Sequence, residues 1–355
     1  MVAAWSAYLL VFALALSLTL ALTPLAAHLG RRFKIVALAG GRHANEGDRR
    51  GVPKLGGLAL FVGFTASALA AQLLPVPRMD PYEIVRLAGL LLGGVIVFII
   101  GLLDDVIQFG SFPQFIGQFI AAAVAILFQI FIEYVNNPLT GQQTDPWPYV
   151  VTVALSFFWI VGMMNTVNWL DGLDGLASGV AFIAGTMLFI NSAFRVEPRQ
   201  TSVSLLHLAL MGTAFGFLLF NFYPARVFMG GGAMYLGYLL GTLSIIGGAK
   251  MATILLVMGL PLMDVVWQIV NRMRQGRSPF TGDRGHVHFR LLDMGFSQRQ
   301  IVIVYYLFCA FFGMLTLVIE SQFYKFVALG VMLALVVLGF VILSRSRQSN
   351  SSISS

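Results

Sequence analysis

The sequence predicts an all-α integral membrane protein of about eleven transmembrane helices, or ten on a stricter count, and three observations predict it. Apolar residues make up 58% of the 355 positions and charged residues only 10%, the balance of a chain whose solvent is mostly lipid. Apolar segments able to cover a hydrocarbon core of roughly 30 Å, about 20 helical residues each, recur along the whole chain. The Lys and Arg are confined to the short stretches between them.

Taken in order, the expected spans are Trp5–Ala27, Gly57–Leu74, Leu87–Leu103, Phe115–Val135, Tyr149–Met164, Leu176–Phe194, Val203–Phe220, Ala233–Gly248, Met251–Ile269, Ile301–Ile319 and Phe323–Leu343. The first runs from Trp5 without a basic n-region or a small-residue cleavage pattern, which argues for a retained span over a removed leader. The eighth is short and is bounded by Gly230-Gly231-Gly232 and Gly247-Gly248; leaving it out gives the count of ten. Residues 1–343 form one polytopic membrane domain, and the Ser-rich stretch 344–355 reads as a disordered cytoplasmic tail.

Charge sets the orientation. Eleven crossings put the termini on opposite sides, and sixteen of the 22 Lys and Arg fall on one of them, chiefly Arg31 to Lys54 and Arg272 to Arg299. The side rich in basic residues is the cytoplasmic one, so the N-terminus is expected outside and the C-terminus inside. A net charge of +7 distributed this way orients the chain and meets lipid headgroups; it does not point to nucleic acid. The single cysteine, Cys309, lies in an apolar run, which excludes a disulfide framework and a Cys-based metal site. The outward connections read as turns with no cluster of functional groups, whereas the inward ones carry nearly all of the Asp, Asn and His near membrane depth.

Five inward segments hold candidate chemistry. Asp104 and Asp105 close the third span, at the helix end where negative charge is disfavoured. Hard carboxylate oxygens there suit a divalent cation such as Mg2+, which takes one or two carboxylates plus substrate phosphates. Asn165, Asn168, Asp171 and Asp174 recur every third residue, forming one slowly drifting helical stripe able to face a single cavity. Gly172 and Gly175 let the chain leave helix there, and polar groups at such depth mark function. In Asn221-Phe222-Tyr223-Pro224-Ala225-Arg226, followed by Phe228-Met229-Gly230-Gly231-Gly232, the glycines suit either anion-binding N–H groups or close packing. The longest inner loop carries Asp283, Arg284, His286, His288 and Arg290, groups suited to phosphate, with zinc as the rival reading. Lys54, before the Gly56-Gly57 pair, is within reach of a phosphate at the start of the second span.

From about Arg42 to Arg299 the chain resembles the polyprenyl-phosphate N-acetylhexosamine-1-phosphate transferases (glycosyltransferase family 4). That family includes the phospho-MurNAc-pentapeptide translocase and GlcNAc-1-phosphate transferases. The resemblance rests on Asp104-Asp105, Asn165/Asn168/Asp171/Asp174, Asn221-x-x-Pro-Ala-Arg-x-Phe-Met-Gly and His286-x-His288, in the family's order. It implies a plasma-membrane enzyme, its site facing the cytoplasm, that moves GlcNAc-1-phosphate from a UDP-N-acetylamino sugar to polyprenyl (undecaprenyl) phosphate and releases UMP. Such a reaction opens cell-wall or surface polysaccharide synthesis and uses Mg2+, with Mn2+ as a substitute; a homodimer is also implied. In those terms Asp104, Asp105, Asp171 and Asp174 carry catalysis, and Asn168, Asp171 and Asp104 surround the metal. Asn165, Asn221, Lys54, Arg284, His286, His288 and Arg290 bind substrate. The chain departs from the family where Phe228-Met229-Gly230 meets Gly231, because the family places a metal-binding Asp after that Gly. It also departs at Gln114, where Lys is common, and at Phe289, where the GlcNAc enzymes show a further His. The missing Asp predicts weaker cation binding and impaired turnover unless Asp171 or Asp174 substitutes. Pentapeptide-linked transfer, an inert lipid-phosphate binder and a sugar-nucleotide or lipid carrier are the competing functions, the last opposed by polar groups gathered at one membrane end and not at the midplane.

Overall fold

The computed structural model describes residues 2–37, 51–246, 251–278 and 285–353, with side chains described between 4 and 342. Among them the chain is helical throughout: α1 (Val2–Arg32), α2 (Gly56–Ala71), α3 (Glu83–Ile107), α4 (Ser111–Leu127), α5 (Tyr149–Leu170), α6 (Leu176–Ile190), α7 (Thr201–Asn221), α8 (Gly232–Ile245), α9 (Met251–Val257), α10 (Gly259–Arg274), α11 (Val287–Asp293), α12 (Gln298–Val318) and α13 (Gln322–Ile353). A π-helical turn, Asn191–Arg195, extends α6. Extended pairing is limited to two isolated bridges, Val36 with Pro53 and Asn136 with Gln143.

Every one of the eleven expected apolar segments contains a helix. Among the described residues seven helices are long and apolar enough to cross a membrane, eight if α9 and α10 count as one bent span. The other three, α2, α4 and α8, are apolar but 14 to 17 residues long, short of an ordinary crossing. The expected tail at 344–355 falls where side chains lie outside the description.

Several helices run past their expected ends, α5 to Leu170 among them, and two expected spans are interrupted. The fourth stops at Leu127 and does not run to Val135, because Gln129 takes a left-handed conformation (φ 66°) and the chain continues extended. Its backbone is satisfied there by side chains: Ile132 N–H donates to Ser156 Oγ at 2.9 Å. The ninth breaks by 74° between α9 and α10. Pro261 has no N–H to offer the Val257 carbonyl, so the helical ladder fails at that turn.

That break positions the site. It turns α10 so that Asp264, Gln268 and Arg272, spaced one turn apart, are buried at 4%, 0% and 2% exposure against the 285–288 segment and the end of α5. The core lies around α7 and α8. All of α8 is buried, which is why a short helix apolar on every face is stable there. Backbones approach closely around it: a Cβ on Gly237 would stand 2.6 Å from the Met163 carbonyl oxygen and Met164 Cα of α5, the small-residue packing of helices in lipid.

Candidate functional site

At one end of the bundle the C-terminal ends of α3, α5 and α7 meet the N-terminal ends of α2 and α8. Glycines allow the approach. A Cβ on Gly231 would lie 2.2 Å from Gly101 Cα in α3, and one on Gly232 would lie 2.5 Å from Gly57 Cα in α2. The segment before α2 hydrogen-bonds to the segment before α8, with Phe228 N–H donating to the Pro53 carbonyl at 2.8 Å and Gly57 N–H to the Met229 carbonyl at 3.0 Å. The glycine run is therefore a close-packed joint, and one of its N–H groups is already occupied: Gly231 donates to Asp105 Oδ2 at 2.9 Å. Gly230, at φ 58°, has the Asp105 carboxylate and the Lys54 carbonyl where its Cβ would stand. Asp105 is the acid that lies against this run.

The two neighbouring acids of α3 thus differ. Asp105 is fixed through Gly231, whereas Asp104 is half-buried and its Oδ1, itself enclosed, meets no hydrogen-bond donor among the described residues. Lys54 is buried at 6% exposure beside the same joint.

The expected stripe of Asn165, Asn168, Asp171 and Asp174 is divided. α5 ends at Leu170 with Asp171 at its C-cap, and Gly175 adopts φ 82°, so the two acids lie on a turn and not on the helix. Asn165 points to α4, donating to Gln118 Oε1 at 2.7 Å. Asn168 is half-buried and makes no hydrogen bond with another described residue. Asp174 accepts from Ala225 N–H at 2.8 Å, joining this turn to the Pro224-Ala225 loop. Asn221 completes that joint: its Oδ1 accepts from Gly175 N–H at 3.1 Å and Ser178 Oγ at 3.0 Å, and its Nδ2 donates to the Val227 carbonyl at 3.1 Å. Burial, and then the charges of Asp174 and Asp105, raise the Asp171 carboxyl well above the usual carboxylate range. Asp105 and Asp171, far apart in sequence, are therefore electrostatic neighbours.

His288 packs against the same turn from the other side. A Cβ on Gly172 would stand 2.3 Å from His288 Nε2. The ring is fully buried and neither nitrogen has a hydrogen-bond partner among the described residues. Burial lowers its pKa to about 3, against the opposing pull of Asp264, so His288 is neutral at physiological pH and brings a neutral donor or acceptor, with no charge. His286 stacks on His288 at 5.5 Å between ring centroids, and its Nδ1 lies 3.0 Å from Asp264 Oδ2. The other oxygen of Asp264 accepts from Val287 N–H at 3.1 Å. Gln268 donates to the Gly285 carbonyl, as does Arg290 Nε at 2.7 Å. Arg272 stacks 5.1 Å over the ring of Trp169, which meets His286.

Asp264, Gln268 and Arg272 were not among the residues expected from sequence. The signal was present: an acid, an amide and a guanidinium at i, i+4 and i+8, starting inside an otherwise apolar segment. Arg284 lies outside the described residues. No three His, Cys, Asp or Glu side chains converge into a metal-binding cluster among the described residues; Asp105, Asp171 and Asp174 are the acids whose charges act on one another.

The sequence model of glycosyl transferase family 4 matches residues 87–248, taking in Asp104, Asp105, the Asn165 to Asp174 segment and Asn221, and ending before His286. The probable undecaprenyl-phosphate N-acetylglucosaminyl 1-phosphate transferase of Bacillus subtilis (strain 168) is 28% identical over 318 residues, 87% of this chain and 84% of that protein. The decaprenyl-phosphate N-acetylglucosaminephosphotransferase of Mycolicibacterium smegmatis is 31% identical over 278 residues, 72% of this chain and 68% of that one. The phospho-N-acetylmuramoyl-pentapeptide-transferase of Geobacillus kaustophilus is 30% identical over 338 residues, 88% of this chain and 98% of that one.

Proposed function

The chain belongs to glycosyl transferase family 4, and from that premise we propose that it transfers GlcNAc-1-phosphate from UDP-GlcNAc to polyprenyl phosphate at the cytoplasmic face of the plasma membrane. An oxygen of the lipid phosphate attacks the β-phosphorus, the bond from that phosphorus to the bridging oxygen breaks, and UMP leaves with that oxygen. The product is polyprenyl-pyrophosphoryl-GlcNAc, a starting lipid for cell-wall or surface polysaccharide.

One observation carries the reading: Asp105 of α3 and Asp171 of the α5 turn are electrostatic neighbours, with His288 against the same turn. Displacement at phosphorus needs alignment and neutralisation of developing charge more than covalent help. Asp104, whose Oδ1 has no hydrogen-bond partner among the described residues, orients the lipid phosphate or takes its proton. Asn168 and the neutral His288 donate to donor oxygens, and His286, Arg290 and Lys54 supply the phosphate-binding side. Asn165, Asn221 and Asp174 hold the turn in place.

Mutually repelling carboxylates fit a hard divalent cation, and Mg2+ needs only one or two of them with substrate phosphates completing its shell. Asp105 and Asp171 would hold it, with Asn168 or Asp104 alongside. When bound, Mg2+ neutralises charge on the pyrophosphate oxygens.

The test offers the purified protein UDP-GlcNAc or UDP-MurNAc-pentapeptide with undecaprenyl phosphate and Mg2+. UMP release with UDP-GlcNAc, abolished by chelation, is the expected result. Release only with the pentapeptide donor would move the protein to the other branch of the family, and binding of lipid phosphate without UMP would make it an inert relative.

A further inference from the structure

At the far end of the bundle, the end of α6, the start of α9, the end of α12 and the start of α13 enclose a cavity of about 400 Å3, a volume within the roughly 300–1,000 Å3 range of small-molecule sites. Two cations line it, Arg195 on the π-helical turn and Lys325 near the start of α13, together with one acid, Glu320. Asn191, Thr253 and Gln322 add uncharged hydrogen-bonding groups. Two cations against one acid give the lining one net positive charge, and no ion pair engages Arg195, Lys325 or Glu320 among the described residues. Phe194, Phe323 and Tyr324, each adjacent in sequence to a lining residue, are 40%, 45% and 62% exposed. Tyr324, amphipathic and at the end of a spanning helix, suits headgroup depth, and the two Phe rings offer apolar surface beside it. Arg195 itself sits on the rare π-helical turn that ends α6, a form frequent at functional sites.

We infer that this cavity binds the phosphodiester headgroup of an anionic glycerophospholipid in the leaflet opposite the candidate transferase site. Arg195 and Lys325 take the phosphate oxygens, and the amides and hydroxyl take the remaining headgroup oxygens. Glu320 tunes the choice: one net positive charge complements a singly charged diester better than a phosphate dianion or a zwitterion. The exposed aromatic side chains provide the surface for the acyl chains.

Native mass spectrometry of the full chain, delipidated in detergent and titrated with phosphatidylglycerol, phosphatidylcholine or inorganic phosphate, tests this independently of any transferase activity. Phosphatidylglycerol should be retained at least tenfold better than phosphatidylcholine and should resist displacement by an equal concentration of inorganic phosphate. Arg195→Gln and Lys325→Gln should each weaken retention about fivefold, the usual contribution of one cation near an anionic headgroup. Lys325→Arg should restore retention, and a melting curve of each variant checks that it is folded. Equal retention of the two lipids, displacement by inorganic phosphate, or full retention by a folded Arg195→Gln/Lys325→Gln double variant would each overturn the inference. Should the double variant unfold, the single variants and Lys325→Arg decide in the same way.

Discussion

The two ends of the bundle use their charges in opposite ways. At the far end, cations meet acids close by in sequence: Arg86 pairs with Asp80 at 2.7 Å, and Arg78 pairs with Glu83. At the site end, Asp105 of α3 and the Asp171–Asp174 turn come from separate segments, and Asp105 and Asp174 both bear on Asp171 while accepting backbone N–H groups. Local pairs of opposite charge cost little to hold, whereas a group of like charges opposes folding. An acid perturbed by burial and by neighbouring acids, as Asp171 is, marks a candidate functional site, and the like charges held there cost the fold stability that the far end does not give up.

Variants of the two ends sharpen that contrast, the largest effect coming from Asp171. Asp171→Asn should lower UMP release by on the order of 10²-fold or more, the scale of a lost acid-base or charge-positioning group. The same variant should melt higher in metal-free buffer at neutral pH. The sign follows from proton linkage: a carboxyl whose folded pKa is raised holds its proton more tightly when folded, so it costs stability as pH rises through that value. The gain should vanish in acid, and a variant less stable than wild type at neutral pH would break the contrast.

Asp264→Asn comes next. It should cost about 10–100-fold in activity, the usual range for a residue that orients a site side chain, with part recovered in Asp264→Glu. The His286 imidazole signal in NMR should shift in the Asn variant, a change that general destabilisation would not reproduce. Gly231→Ala forces a methyl onto Gly101 and should cost about 1–3 kcal/mol as overpacking, read as a lower melting temperature. Arg86→Gln should be the mildest: its partly exposed pair is worth about 0–1 kcal/mol, and UMP release should stay within twofold of wild type.

Much of this was legible in the sequence. The apolar segments announced their helices, and Asp104-Asp105 and Asp171 declared a polar site because acids at membrane depth are costly without a role. Periodicity misled at Asn165 and Asp174: a three-residue repeat read as one helical face, but Gly175 in a left-handed turn ends that geometry, and each side chain found a scaffold partner. The α9–α10 break was written in Pro261, yet hydropathy averages over a proline, which also hid the stripe from Asp264 to Arg272. The outward connections, expected to be chemically empty, instead contribute Arg195 and Glu320 to a cavity. No local motif could signal it, because its lining comes from four stretches scattered between Asn136 and Lys325.

The central claim is that the crowded acids at one end of the bundle serve transfer of a sugar phosphate. The most direct measurement uses UDP-GlcNAc labelled at the β-phosphorus, incubated with the purified protein, undecaprenyl phosphate and Mg2+. Label should pass into the lipid fraction as wild-type protein turns over and stay water-soluble with Asp171→Asn. Label left on UDP while GlcNAc reaches the lipid, or equal transfer by wild type and Asp171→Asn, would contradict the account.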